Sequence, residues 1–283
     1  MGRVTDAAEI ALPTIAILGA GSMGGAILQG LRQPRVTVDG GIRITTRRAD
    51  PGRHPGVTAY ALEEDESANR RAVEGAAIVL LGVKPVGIAA LAEEIAGDLA
   101  PGTLVISVAA GVTTAAIERR LPDTVAVVRA MPNTPSTVGL GVTGISAGSR
   151  ASAEHLQLAR TLFETVGSVL DLSEDRIDAL STISGSGPAY VFYLIEQLQA
   201  AARARGFTDD EAALLVQGTF RGAVELLASS GVAPEELRRR VTSPNGTTER
   251  AIAVLERADL AAVFDEATAA AQARAEELAR DLA

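Results

Sequence analysis

Short runs of apolar residues alternate with stretches of helical period through the first part of the chain. Thr14–Leu18 is one such run, followed by Gly19-Ala20-Gly21-Ser22-Met23-Gly24 and a helical stretch to about Leu31. Arg43–Thr46 reads as a second strand, and a helix rich in Glu and Arg follows over Ser67–Gly75. Ala77–Val83 is continuously apolar, the pattern of a strand buried on both faces. A helix is expected over Val86–Gly97, a strand over Thr103–Val108, a helix over Thr113–Arg120 and a strand over Thr124–Arg129. Val138–Ala147 reads as one more strand, weakened by its glycines. Strands separated by helices of this length predict βαβ units and a parallel sheet.

After Ala151 the strand pattern fades. Ala151–Val166 carries Leu156, Leu162, Phe163 and Val166 at helical spacing. Pro188–Arg205 places Val191, Leu194, Ile195, Leu198 and Ala202 on one face, and further helices are expected over Asp209–Ser229, Thr247–Arg257 and Leu260–Leu282. The expected class is therefore α/β plus all-α, with an α/β domain over residues 1–174 and a helical domain over 175–283. Apolar stripes on several helices of so short a domain are more surface than it can cover alone. A homodimer through these helices is the expected solution, two-fold dimers being the commonest oligomers.

Composition narrows the chemistry. Hydrophobic residues make up 47% of the chain and aromatic ones only 3%, so the core must be built from Ala, Val, Ile and Leu. The absence of Cys removes disulfides, thiolate metal sites and a cysteine nucleophile. With only two histidines, His54 and His155, no metal centre is expected. The net charge of −9 is shared by both parts, with 15 basic against 18 acidic residues up to Glu174 and 11 against 17 after it. Neither part is a basic module, so nucleic acid is not an expected partner. Met1–Pro13 holds Asp6 and Glu9 and lacks a long apolar core, and the uncharged stretches Leu99–Ile117 and Ala130–Ser149 are broken by Gly, Pro, Ser and Thr. No signal peptide or membrane partner is expected, and the cytoplasm is the expected location.

Gly19, Gly21 and Gly24 fit the pattern G-x-G-x-x-G. The motif alone is weak in a chain with 28 glycines. Its place after a strand, at the start of a helix and early in a βαβ series, makes it a dinucleotide fingerprint, so the first domain is expected to be of the Rossmann type. The helix start offers N–H groups and the positive end of the helix dipole to a pyrophosphate, with Ser22 and Met23 in the turn. The second strand selects the nucleotide. An NAD site usually carries a carboxylate about 20 residues after the glycines; here the strand ends Thr45-Thr46-Arg47-Arg48, and the nearest carboxylate is Asp50. Two guanidiniums and two hydroxyls suit a 2′-phosphate, so NADPH is expected over NADH. A solvated surface Arg pair is the alternative.

Of the 26 basic residues, 25 are Arg and one is Lys84, in Val83-Lys84-Pro85 after the third strand. Ligands meet parallel sheets at the C-terminal ends of their strands, which puts Val83, Lys84 and Pro85 at the cofactor cleft. Ser107-Val108-Ala109-Ala110-Gly111 follows the next strand, where Ala109 and Ala110 are small enough for a nicotinamide ribose to lie against the backbone. Met131-Pro132-Asn133-Thr134-Pro135 follows the fifth strand, and Asn133 supplies a hydrogen-bonding amide. Ser184-Gly185-Ser186-Gly187-Pro188-Ala189-Tyr190 and Ser243-Pro244-Asn245-Gly246-Thr247-Thr248 each lead into a helix. Each of these three segments also reads as ordinary turn and helix-capping sequence.

Taken in order, GAGSMG, VKP, ISVAAG, MPNTP, SGSGPAY and VTSPNGTT resemble the pyrroline-5-carboxylate reductase family over nearly the whole chain from Ile15. The last two motifs are the specific ones. The resemblance implies an NADPH-dependent reductase that adds hydride to the C=N carbon of 1-pyrroline-5-carboxylate to give L-proline, with a helical domain that serves dimerisation and substrate binding. It implies substrate carboxylate contacts at Gly246, Thr247 and Thr248, with Ser243 nearby. It also implies an active site formed with the helical domain of a second subunit, in a homodimer or an assembly of dimers. The family's proposed proton-donating hydroxyl falls on Ser181, where Thr is more usual; a capping or buried structural Ser is the alternative. Asn245 replaces the first Gly of the family's usual Gly-Gly, a departure that Asn tolerates because it adopts positive φ more easily than most residues. Other NADPH-dependent reductases of the same two-domain plan, and a non-catalytic nucleotide-binding protein, remain as competing readings.

Overall fold

The computed structural model describes residues 9–49 and 55–282. His54 and Asp50 therefore lie outside the described residues.

The apolar runs become strands with a helix between most of them. In chain order the first unit holds β1 (Ile10–Leu12), β2 (Ile15–Leu18), α1 (Ser22–Leu31), β3 (Val36–Val38), β4 (Ile42–Thr46), β5 (Val57–Ala61), α2 (Ala68–Val73), β6 (Ile78–Leu81), α3 (Ile88–Ile95), β7 (Leu104–Ser107), α4 (Thr114–Glu118), β8 (Ala126–Met131), β9 (Gly141–Ala147), α5 (Ala153–Glu164), β10 (Gly167–Asp171) and α6 (Ile177–Leu180). Then follow α7 (Gly187–Arg203), α8 (Asp209–Ser230), α9 (Pro234–Arg240), α10 (Thr247–Arg257) and α11 (Leu260–Leu282). Contacts divide the chain after Ser186, with the end of α11 from Ala271 joining the first unit and Gly187–Ala270 forming the second.

The main sheet has eight strands in the order β10-β9-β8-β7-β6-β2-β4-β5. Its pairs are parallel except β8 with β9. The exception has a simple cause. A parallel return needs a crossover of a dozen or more residues, and only the tight turn Thr134–Val138 with its flanks separates Met131 from Gly141. Gly139 closes that turn with φ +74. A small parallel pair, β1 with β3, stands apart.

Alternation along the central strands sorts their side chains into two cores. Ile17, Ile78, Leu80 and Ile106 pack with Ile27 and Leu31 of α1 and Leu162 and Phe163 of α5. Leu18, Val79, Leu81 and Val105 pack with Ala72 of α2, Ile88, Leu91 and Ile95 of α3 and Ile117 of α4. This is the doubly covered sheet that continuously apolar strands require.

In the second unit α7 packs along α8, and the rings of Tyr190 and Phe264 lie 6.3 Å apart. Buried Ala212 and Val216 contrast with exposed Phe192, Leu214, Val224 and Val254, so much of its apolar surface lacks cover within the chain. No helix among the described residues is long and apolar enough to cross a membrane.

Candidate active site

The glycine turn between β2 and α1 is built by close backbone approach. Gly19 has φ +89, and its N–H donates to Thr45 Oγ1 at 3.1 Å. A Cβ on Gly24 would stand 2.6 Å from the Gly19 carbonyl oxygen, and one on Gly82 2.7 Å from the same atom. Gly21 differs: a Cβ there would meet nothing within 4 Å. Gly21 also caps α1 without any side-chain hydrogen bond, so the first N–H groups of the helix are not claimed by a capping side chain.

A cleft of about 500 Å³ opens at this turn. It is lined by Gly19, Gly21, Ser22 and Met23, by Thr45, Thr46 and Arg47 at the end of β4, by Val83, Lys84 and Pro85 after β6, and by Val108, Ala109 and Ala110 after β7. Eleven of the fourteen cofactor residues expected from the sequence thus line one space. Gly24 supports the cleft from below without lining it. Arg48 sits at the rim, 3.5 Å from Glu63 in an exposed ion pair. Such a pair is screened and contributes little. Asn133 is elsewhere. Its Nδ2 donates to the Ser184 carbonyl at 3.0 Å, and its Oδ1 accepts from the Val142 N–H at 2.8 Å, so both ends of the amide brace the chain. Lys84 is exposed and starts the short turn Pro85–Gly87 that leads into α3.

Asn69 and Leu62 also line the cleft, and no sequence motif marks either of them. Asn69 is buried on α2 and donates to Glu94 Oε2 at 3.1 Å. A polar residue on an otherwise Ala- and Val-lined inner face, between Ala68 and Ala72, is the available signal.

A second cavity of about 430 Å³ shares Pro85 and Ala110 with the first. Its other walls are Val86, Gly111, Met131, Asp178, Ser181 and, from α11, Ala271, Arg274 and Ala275. Ser181 begins a wide helical turn, Ser181–Gly185, in which the Ser186 N–H reaches back to the Ser181 carbonyl at 2.9 Å. Turns of this π type inside helices are frequent at functional sites. Ser181 caps the end of α6 through its backbone, and its hydroxyl makes no hydrogen bond among the described residues. Asp178 and Arg274 are further polar groups of this cavity that no sequence motif marks.

Ser243, Gly246, Thr247 and Thr248 belong to the second unit, at the start of α10. The Gly246 N–H donates to the Ser243 carbonyl at 3.0 Å, and Gly246 caps the helix without a side-chain hydrogen bond. Asn245 adopts φ +59, the left-handed conformation that its place in the turn demands, and its N–H donates to Glu249 Oε2 at 2.9 Å. His155 acts locally, its Nδ1 accepting from the Ser152 N–H at 3.0 Å in a capping box at the start of α5.

A family model for pyrroline-5-carboxylate reductase dimerisation matches residues 174–278, and one for NADP oxidoreductase, coenzyme F420-dependent, matches residues 14–111. A pyrroline-5-carboxylate reductase of Pseudomonas aeruginosa is 39% identical over 274 residues, covering 95% of this chain and 98% of that one. The solved pyrroline-5-carboxylate reductase of Coxiella burnetii superposes with a TM-score of 0.83 at 39% identity, over 93% of this chain and 97% of that one. A Plasmodium falciparum pyrroline carboxylate reductase solved with NADP bound shares the fold, with a TM-score of 0.79 at 23% identity over 94% and 98% of the two chains. On identity over almost its full length, the chain belongs to the pyrroline-5-carboxylate reductase family.

Proposed function

We propose that the protein reduces 1-pyrroline-5-carboxylate to L-proline with NADPH as hydride donor. The observation that carries this reading is the shared wall of Pro85 and Ala110. It sets a cleft large enough for a nucleotide directly beside a cavity bearing the Ser181 hydroxyl. The residues fit the cofactor. Gly21 leaves open space where a side chain would block a pyrophosphate, and the start of α1 offers N–H groups to it. Arg47 and Thr46, with Arg48 beside them, would meet a 2′-phosphate, and β4 itself ends in Thr45-Thr46 rather than in the carboxylate that favours a 2′-hydroxyl. Ala109 and Ala110 leave room for the nicotinamide ribose. When bound, the cofactor supplies the hydride.

The chain's own part is to orient and to shield. The largely apolar second cavity would hold the pyrroline ring and limit water around the C=N bond. Ser181 would hydrogen-bond the ring nitrogen. A neutral hydroxyl is a poor acid near neutral pH, so its role is to hold the nitrogen, with the imine arriving protonated. The substrate carboxylate is assigned to the N–H groups and hydroxyls of Gly246, Thr247 and Thr248 with Ser243 beside them, a helix start suited to an anion. The exposed apolar faces of the second unit and the dimerisation model support a homodimer or an assembly of dimers. Loss of NADPH absorbance with pyrroline-5-carboxylate, and not with 2- or 3-keto acids or other imines, is the expected result. A folded, NADPH-binding sample that leaves pyrroline-5-carboxylate untouched would overturn the reading. Light scattering after size exclusion, returning a monomer, would remove the dimer.

A further inference from the structure

Among the described residues, the largest fully buried side chain is not apolar. Arg129 of β8 is 2% exposed and reaches two carboxylates, Asp178 Oδ1 at 2.6 Å and Glu174 Oε1 at 3.7 Å. Glu174 in turn accepts from the Thr114 N–H at 2.7 Å and from Thr114 Oγ1 at 2.8 Å. Arg129 Nε has no partner among the described residues.

As a stabilising device this is poor. Desolvating a guanidinium and its carboxylates offsets most of the attraction gained, and a buried N–H without an acceptor adds a further cost. Its placement is more informative. Met131, two residues along β8, lines the second cavity; so do Asp178 itself and Gly111, just before Thr114. Ser181 lies one helical turn after Asp178. One guanidinium therefore ties β8, whose Met131 lines the cavity, to the helix leading to Ser181 and, through Glu174, to Thr114, three residues after the cavity's Gly111.

We propose that Arg129, through Asp178 and Glu174, is a positioning residue that holds the Ser181 turn at a fixed distance from the segment after β7. The inference rests on the reductase reading and deepens it. Neither Arg129 nor Glu174 lines the cavity, and Asp178 stands at its wall; the three act through the hydroxyl they place, where misplacement by about an ångström is enough to slow a reaction strongly.

Asp178→Asn keeps the shape of the side chain and removes the charge that Arg129 holds. The expected result is a fall in kcat of about tenfold or more with KM for NADPH within about twofold of wild type. Repeated in a Ser181→Ala background, the same change should cost less than about twofold, because residues acting through one another are not additive. Equal losses in both backgrounds overturn the proposal, as does an Asp178→Asn protein with unchanged kcat. Should Asp178→Asn fail to fold by circular dichroism, Thr114→Val, which deletes one hydrogen bond to Glu174, is read in the same way. An inactive wild type sinks the reductase reading and this inference with it; an active wild type with equal losses sinks the inference alone.

Discussion

Gly24 lies against Gly19 so closely that a single added carbon would stand 2.6 Å from the Gly19 carbonyl oxygen. The neighbouring Gly21 faces open space. The fingerprint glycines thus divide into those the chain needs for its own packing and one that only a bound molecule would need. Gly24→Ala should lower stability by roughly 1–3 kcal/mol, the usual cost of overpacking. Gly21→Ala should leave the denaturation midpoint unchanged and weaken NADPH binding by roughly tenfold, the loss of about one hydrogen bond to a charged group. Denaturant titration and fluorescence titration with NADPH check the pair; equal effects of the two changes on both measurements would contradict it.

Arg47 lines the cleft, whereas Arg48 is drawn toward Glu63 at the rim. Arg47→Ala is expected to raise KM for NADPH by about tenfold, the scale of a charge-assisted hydrogen bond, and to leave KM for NADH nearly unchanged. Arg48→Ala should have the smaller effect. Steady-state kinetics with both nucleotides decides between them.

Ser181 lines the second cavity, and its hydroxyl has no hydrogen-bond partner among the described residues. Ser181→Ala should lower kcat by roughly tenfold to a hundredfold while NADPH binding holds, and Ser181→Thr should retain activity. Unchanged turnover in Ser181→Ala across pH would exclude a necessary role.

Phe163 is fully buried between α5 and the sheet. In a core so poor in aromatic residues its loss leaves a large void, and Phe163→Ala should cost about 3–5 kcal/mol in urea unfolding. Phe163 shares its core with Ile27 of α1 and with Met23, which lines the cleft, so NADPH binding should fall together with the folded fraction.

Glu236 on α9 accepts hydrogen bonds from Arg239 and Arg240, which lower its pKa to about 2. A carboxylate depressed in the folded state contributes stability above its unfolded pKa of about 4.5. That contribution fades as pH falls from there toward about 2. The group is exposed, so the effect is small and salt-sensitive. Glu236→Gln should flatten the acid side of the Tm profile slightly at low salt; an unchanged profile would show that the pair does not form in solution.

Much of the site is readable along the chain because its signals are local. A glycine turn after an apolar run, a Lys-Pro step, a pair of alanines after a strand and paired arginines where a carboxylate is usual all sit at strand ends. A parallel sheet gathers strand ends at one edge, so reading the order is enough to assemble the cleft. Asn245 is legible for the same reason, since positive φ is a property of the residue and its turn. Other features are not. The edge strands β5 and β10 carry few fully buried residues and leave a weak pattern. Asn133 resembles a ligand group because its sequence neighbours are small and rigid, yet its amide bonds the Val142 N–H across the adjacent turn and the carbonyl of Ser184, 51 residues on.

The amino-acid sequence alone determined the alternation of the central strands and helices, the glycine turn after β2 and the absence of thiol chemistry, for these follow from residue type and near neighbours. Tertiary structure decided the reversed direction of β9, the wall shared by two cavities and the burial of Arg129 against Asp178. The physical reason is that each of these depends on which distant segments meet, and hydrogen-bond geometry and desolvation act only once they have met.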